Sequence, residues 1–181
     1  MNLEPLPSDV IDLLGRLGAS PRLIAHLTLV HDVACKLTAR LDAVWPKLPY
    51  DRVAVRLGAA LHDIGKTVHP DELVLPGHLH ELAGEELLRQ QSFASAYARF
   101  GRTHDQWADE PAAQAEDLLV ALADSWWRGK RNERLEDATC HWIADTTQIP
   151  HWQVFAALDD IAVAITSEAD SRLEWQNQFA A

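Results

Sequence analysis

Apolar residues recur at intervals of three and four along nearly the whole chain, which is the spacing of one face of an α-helix. One such stripe joins Leu23, Leu27, Val30, Ala34, Leu37 and Leu41. No stretch shows the sustained alternation of apolar and polar residues that a half-buried strand needs. The spacing therefore predicts an all-α fold of seven or eight helices.

Proline, glycine and capping residues predict where these helices begin and end. Ser20 followed by Pro21 is typical of a helix start, and Gly65 and Gly101 are candidate stops. A helix is also expected to open at Asp109-Glu110-Pro111. The other helices are expected over residues 8–17, 21–45, 51–63, 78–91, 92–100, 133–146 and 150–175, with a loop over 67–77.

The chain is acidic, with 16 Lys and Arg against 27 Asp and Glu and a formal net charge of −11. Long nucleic acids are bound mainly by basic side chains that neutralise phosphates, so extended nucleic-acid binding is not expected. The N-terminus lacks the basic start and apolar run of a signal peptide, and no segment approaches a membrane span. We therefore expect a cytoplasmic protein without membrane association, in which Cys35 and Cys140 are buried free thiols.

Three His-Asp dipeptides occur in the chain, and the one at His62-Asp63 differs from the others. It ends the apolar run Gly58-Ala59-Ala60-Leu61 and continues as Ile64-Gly65-Lys66. This His-Asp-Ile-Gly-Lys string resembles the HD-domain superfamily of metal-dependent phosphohydrolases, in particular its small stand-alone members. The resemblance covers about residues 26–135. It implies that residues 1–181 form one HD-domain bundle, with C-terminal helices over about 133–178 packed on the core.

The resemblance also implies a set of metal ligands. The first histidine of the family lies on the helix before the His-Asp pair, where His31 has the matching context Leu29-Val30-His31-Asp32. The closing aspartate lies in an apolar run on a later helix, which Asp124 matches. Members with two metals have two further histidines, which His80 and His104 match here, with His78 as an alternative to His80. Whether one or two ions bind stays open. The implied ligands are His31, His62, Asp63, His80, His104 and Asp124.

The chemistry of these residue types points the same way. Imidazole and carboxylate ligands on helices favour Mn, Fe, Co, Ni or Zn, with Mg as a further option. Neighbouring residues on a helix project about 100° apart, so His62 and Asp63 can reach one ion only at the helix end, where Gly65 lets the chain turn away. A carboxylate can also bridge two ions. A bound ion lowers the pKa of its water toward neutrality and so supplies a nucleophile.

Single polar residues on apolar helices need separate arguments. An unpaired carboxylate at Asp124 would cost several kcal/mol, so a metal or an ion-pair partner is expected there. Isolated histidines such as His26, His141 and His151 are instead expected to be helix caps or surface residues.

Basic residues near the motif predict the substrate contacts. Lys66 closes the motif and, with Asp63, is expected to act in catalysis, where it would also bind a substrate phosphate or the leaving group. The run Arg128-Gly129-Lys130-Arg131 is the densest basic cluster of the chain, and Arg128 shares a helical face with Asp124. We expect Arg128, Lys130 and Arg131 to bind substrate phosphate. The alternative is a helix cap in which the cations meet the helix dipole and pair with acidic neighbours.

The function that the resemblance implies is hydrolysis of a phosphomonoester or phosphodiester by metal-bound water or hydroxide. The substrate would be a nucleotide, another phosphorylated small molecule or a phosphorylated nucleic-acid end. No Gly-Tyr-Pro follows His104, where Gln106-Trp107 stands instead, and this argues against a cyclic dinucleotide. Two alternatives remain: an inactive HD-fold binding or regulatory module, and a di-iron oxygenase of HD type.

Overall fold

The computed structural model of the chain describes residues 1–108 and 114–180. Over these residues it contains no strand and ten α-helices, eight of which have eight residues or more, so the prediction of an all-α fold is confirmed. The helices are α1 (Ser8–Arg16), α2 (Pro21–Val44), α3 (Arg52–Leu61), α4 (Leu79–Gln90), α5 (Ser95–Ala98), α6 (Phe100–Gln106), α7 (Ala115–Trp126), α8 (Glu133–Thr147), α9 (His151–Thr166) and α10 (Ala169–Gln176). Two 3₁₀ turns, Ile64–Thr67 and Pro70–Leu73, connect α3 to α4.

Side-chain caps explain why several helices begin where the sequence predicts. The Ser20 hydroxyl accepts a hydrogen bond from the backbone N–H of Leu23, and Pro21 occupies the first turn of α2. The Asp51 carboxylate accepts from two backbone N–H groups in the first turn of α3. Asn132 caps α8 in the same way. Each cap satisfies N–H groups that have no partner within the helix.

Two predicted boundaries are wrong, for reasons that lie in the packing. Gly101 does not end a helix but lies within α6, where a Cβ atom would stand 2.6 Å from the backbone nitrogen of Glu85 on α4. The predicted helix over 150–175 is two helices, because the chain turns at Ser167 and Glu168 and returns Arg172 to donate to the carbonyl of Ile165. The helix start expected at Asp109-Glu110-Pro111 lies outside the described residues.

Helix α2 lies at the centre of the larger of two apolar cores. It packs against α3, α7 and α9, around fully buried side chains such as Leu37, Phe100 and Trp126. A smaller core joins α1 to α2 and α3. Complete burial of one such large apolar side chain stabilises the fold by about 1.5–3 kcal/mol. The two cores hold α2, α3, α4, α6 and α7 around a common region.

Expectations about thiols and membranes have mixed outcomes. Both cysteines are free, and Cys140 is buried as predicted, but Cys35 is only half-buried. No helix in the described part of the chain has the length and apolarity needed to cross a bilayer.

Candidate metal centre

Six polar side chains converge where α2, α3, α4, α6 and α7 meet. Five of them are buried, and the sixth, Asp124, has a side chain that is 28% exposed. Helix α3 ends at Leu61, and Asp63 then leaves the helical conformation, so two neighbouring side chains can face one region as predicted. The six residues are His26, His62, Asp63, His80, His104 and Asp124. They form two groups that meet at Asp63.

The first group contains His26, His62 and Asp124. The Nε2 atoms of the two histidines are 3.3 Å apart. Oδ1 of Asp124 lies 3.4 Å from Nε2 of His62, and Oδ2 of Asp63 lies 2.9 Å from Nε2 of His26. Ligands that each stand about 2.0–2.2 Å from one ion are themselves about 3–3.5 Å apart. The spacing of these four atoms therefore fits a single divalent ion.

The second group uses the other oxygen of Asp63. Oδ1 of this carboxylate lies 3.1 Å from Nε2 of His80 and 3.6 Å from Nε2 of His104. The atom is buried, and no hydrogen-bond partner for it occurs among the described residues. Buried carboxylate oxygens are normally satisfied by a hydrogen-bond donor or a cation, so a bound ion fits this position. The two oxygens of Asp63 thus face two different sets of imidazoles.

Hydrogen bonds behind the histidines orient the rings toward the centre. Nδ1 of His62 lies 2.9 Å from the carbonyl of Ala59, and Nδ1 of His104 lies 3.1 Å from that of Phe100. Nδ1 of His80 lies 2.5 Å from a carboxylate oxygen of Glu72. A proton held on Nδ1 by such an acceptor leaves the Nε2 lone pair free, as in most metal-bound histidines. The donor set therefore fits a divalent transition metal. Glu72 is a supporting residue that no sequence pattern indicated.

Charge and burial within the cluster favour the metal-binding form of Asp63 and of two of the four histidines. Burial acts against ionised Asp63, but His62, His26, His80 and Lys66 together hold its pKa well below the usual value. Burial lowers the pKa of His26, and the nearby carboxylates offset this only in part. Burial likewise lowers the pKa of His104. At neutral pH this gives ionised Asp63 beside neutral His26 and His104, the forms that bind a metal. Burial acts against the protonated forms of His62 and His80, but nearby carboxylates outweigh it and raise the pKa of both imidazoles. A metal ion would therefore compete with protons at these two ligands.

The structure corrects the assignment of His31. Its Nε2 atom lies 3.7 Å from the sulfur of Cys35, and the ring takes no part in the cluster. Residues five apart on a helix point about 140° away from each other, so His26 and His31 cannot face the same centre. The Leu-Val-His-Asp context of His31 was misleading. The missed signal is that His26 continues the α2 face that buries Val30 and Leu37.

The other predicted ligands lie together, and the alternative between His78 and His80 is decided by position. His80 reaches the cluster, whereas the His78 side chain is 77% exposed and pairs with Glu81 instead. Ligation by His62, Asp63, His80, His104 and Asp124 stays a prediction that this geometry supports.

A cavity of about 540 Å³ opens onto the cluster. Its wall includes Asp63, Lys66, Arg22, Arg128 and the segment over residues 72–77. Nζ of Lys66 lies 2.5 Å from Oδ2 of Asp63. The guanidinium groups of Arg22 and Arg128 have no hydrogen-bond or ion-pair partner within residues 1–108 and 114–180. Arg22, which sequence reasoning missed, thus joins Arg128 and Lys66 as a cation at the cavity.

The predicted phosphate contacts of Lys130 and Arg131 are corrected. Arg131 donates two hydrogen bonds of 2.7 Å to the Glu136 carboxylate and one of 2.8 Å to Asp159, so its Nε and Nη2 groups already have carboxylate partners. Gly129 adopts a positive φ of 76°, and the backbone N–H of Lys130 donates to Ser125, which ends α7 in a Schellman turn. This turn carries both residues away, and neither is among the described residues that line the cavity.

Comparison with known proteins gives matches of different weight. A family profile described as "HD domain" matches residues 23–126, more than half of the chain, and spans all six residues of the cluster. A tRNA (cytidine(56)-2'-O)-methyltransferase of Thermoplasma volcanium is 25% identical over 153 residues. That alignment covers 75% of this chain and 40% of the relative, so the chain spans well under half of that protein. No solved structure matches the chain significantly.

Proposed function

The chain belongs to the HD domain family, and we propose that it is a metal-dependent phosphohydrolase. Its substrate would be a phosphomonoester or phosphodiester of a nucleotide, of another small molecule or of a nucleic-acid end. The observation that carries this proposal is the position of Asp63. Its two oxygens face two sets of imidazoles at the floor of a cavity that also exposes three cations, Arg22, Lys66 and Arg128.

In this proposal the cluster holds one or two divalent ions. His26, His62, Asp124 and Oδ2 of Asp63 would hold the first, and His80, His104 and Oδ1 of Asp63 the second. The donor types favour Mn, Fe, Co, Ni or Zn. Divalent ions at such a site lower the pKa of a water molecule and neutralise the charge of phosphoryl oxygens.

The residues of the chain itself would bind and orient the substrate. The Lys66 ammonium, next to Asp63, is placed to bind a phosphoryl oxygen or to hold a proton for the leaving group. Arg22 and Arg128 can each donate two parallel hydrogen bonds to a phosphate, the geometry for which guanidinium is suited. Glu72 accepts from Nδ1 of His80 and so fixes the ring. Two guanidinium groups that can bind phosphate lie next to the proposed metal ligands. This arrangement suits a substrate that carries several negative charges close together.

The methyltransferase name of the Thermoplasma relative does not extend to this proposal. The chain covers 40% of that protein, and a cluster of imidazoles and carboxylates suits phosphate hydrolysis rather than methyl transfer. The name does make tRNA and other phosphorylated RNA ends reasonable members of a substrate panel.

The test is a screen of phosphate release with Mn, Co, Ni, Zn or Mg present. Nucleotides, cyclic nucleotides and oligonucleotides with terminal phosphates would serve as substrates. We expect Asp63→Ala and His26→Ala to lose bound metal and at least a hundredfold in turnover, because each removes a ligand. His31→Ala is the matched control on α2 and should retain both.

Circular dichroism would show that the variants keep their helices. Wild-type turnover and metal content in Asp63→Ala would contradict the proposal. If His26→Ala kept wild-type turnover and metal content while His31→Ala lost both, His31 rather than His26 would be the ligand on α2.

A further inference from the structure

A separate cluster of possible ligands lies where α8 meets α9. It consists of Asp137 and His141 on α8 and His151, the first residue of α9. Nε2 of His151 lies 3.2 Å from Oδ1 of Asp137, and Nε2 of His141 lies 3.6 Å from Oδ2 of the same carboxylate. None of the three lines the cavity at Asp63. This cluster, which we call the α8–α9 triad, shares no residue with the proposed catalytic centre.

The backbone holds the triad together before any ligand binds. Asp137 and His141 are four residues apart, so they project from the same face of α8. Gln148 ends α8 in the left-handed conformation, with φ of 59°, and Pro150 begins α9. This tight reversal returns His151 over α8, where the two imidazole rings lie 4.3 Å apart at an interplanar angle of 37°. Little further ordering would be needed for a ligand that requires all three side chains.

One atom of the triad lacks a hydrogen-bond partner, and its surroundings point to a cation. Nε2 of His151 is buried and, despite its closeness to Asp137, has no aligned hydrogen-bond partner in the described part of the chain. Two imidazole nitrogens converge on one carboxylate, and their distances to it match the spacing of about 3–3.5 Å expected between ligands of one ion. The side chains of Asp137 and His141 are 57% and 63% exposed, so an ion could enter and keep water ligands.

We propose that the α8–α9 triad is a second binding site for a divalent transition metal, independent of the catalytic centre. Two imidazoles and a carboxylate suit zinc and its neighbours, and leave a fourth position to water. An ion held there would join α8 to α9. Because it binds the folded chain, it would stabilise the packing of these helices, and this stabilisation would rise with the logarithm of the metal concentration above the Kd.

Zinc stoichiometry tests the site without any measurement of activity. Full-length wild type, His141→Ala and His151→Ala would be dialysed against the same free zinc concentration, and bound zinc measured per chain. His69→Ala is the matched control, since it removes a histidine that belongs to no group of possible ligands among the described residues. We expect each triad variant to bind one zinc fewer than wild type and the control to equal wild type.

Equal stoichiometry in wild type and both triad variants would overturn the proposal. A loss in only one variant would also overturn it, because an ion held by all three residues should depend on both histidines. The substituted side chains are exposed or half-buried, and circular dichroism would verify the fold. The Tm gives an independent check. Zinc should raise the Tm of wild type by more than it raises the Tm of either triad variant.

Discussion

At the scale of single residues, the cations at the cavity differ in what binds them. Arg22 and Arg128 line the cavity, and their guanidinium groups have no partner within the described ranges, whereas Lys66 contacts Asp63. In a chain of net charge −11, cations without an ion-pair partner near the proposed phosphate site are the groups expected to bind an anionic substrate.

We expect Arg128→Ala to raise KM or lower kcat at least tenfold, about 1.4 kcal/mol, without loss of metal. The physical reason is the loss of a bidentate contact to a phosphate oxygen. Lys130→Ala is the control, because Lys130 is exposed and turned away by Gly129. Steady-state kinetics with the substrate found by the screen would measure the effect. Equal kinetics for both variants and wild type would remove Arg128 from the substrate site.

Arg131 has a structural role instead, through its partner Glu136. Burial tends to raise the pKa of Glu136, but Arg131 and Trp126 donate to its carboxylate and lower it overall. A carboxyl whose pKa is lower in the folded state stabilises the fold above its unfolded pKa and loses that contribution as the pH falls through the folded pKa.

We therefore expect Glu136→Gln to cost about 1.5 kcal/mol at pH 7, near the low end for charged hydrogen bonds because Arg131 is partly exposed to solvent screening. The difference from wild type should shrink as the pH falls below about 4. Thermal unfolding from pH 7 to pH 3 would measure it, with Glu174→Gln as an exposed control. A difference that stays constant with pH would disprove an ionic origin.

At the scale of the helices, glycines set how closely α4, α6 and the turn after Asp63 approach one another. A Cβ atom at Gly65 would stand 1.9 Å from the carbonyl of His80, and one at Gly101 would stand 2.6 Å from the nitrogen of Glu85. These contacts involve backbone atoms, which cannot move aside as a flexible side chain can. The closeness brings His80 on α4 and His104 on α6 to the same oxygen of Asp63.

We expect Gly101→Ala to push α6 away from α4 and to cost about 1–3 kcal/mol through overpacking. The displaced His104 should also weaken metal binding at the second group. Gly15→Ala on α1 is the matched control, since a Cβ atom there meets nothing within 4 Å, and alanine favours a helix over glycine. Thermal unfolding and manganese content would be compared. A Gly101→Ala protein with wild-type Tm and metal content would contradict this packing argument.

At the scale of the whole molecule, the proposed centre places two carboxylates and four imidazoles at the junction of five helices. Without an ion, Asp63 Oδ1 stays buried and unsatisfied, so the fold and the metal should depend on each other. A ligand at a hundred times its Kd stabilises a folded protein by about 2.7 kcal/mol.

For a chain of this length, that free energy corresponds to a change in Tm of about 5–10 °C. We expect wild type with manganese to melt higher than wild type with a chelator by about this amount. Asp63→Ala should show a much smaller difference between the two conditions. Scanning calorimetry would measure it, and equal Tm values for wild type in both conditions would show that folding is not linked to metal.

The sequence alone determined the helices, most of their starts and the family, because these depend on local features. Apolar spacing, caps such as Ser20 and Asp51, and the string from His62 to Lys66 can all be read within a few turns of chain. The family resemblance that this string carries implied His62, Asp63, His80, His104 and Asp124, which the structure brings together.

Which face of each helix meets which neighbour follows from the packing of the folded chain and could not be predicted from the sequence. This packing selected His26 in place of His31, because residues on one helix that differ by about 140° face different partners. In the folded chain Arg131 donates to Glu136, and His151 lies over His141. Gly101, predicted to end a helix, instead lies where α6 approaches α4 closely. Each of these outcomes depends on contacts between residues distant in sequence or across a turn, and such contacts leave no periodic trace in the chain.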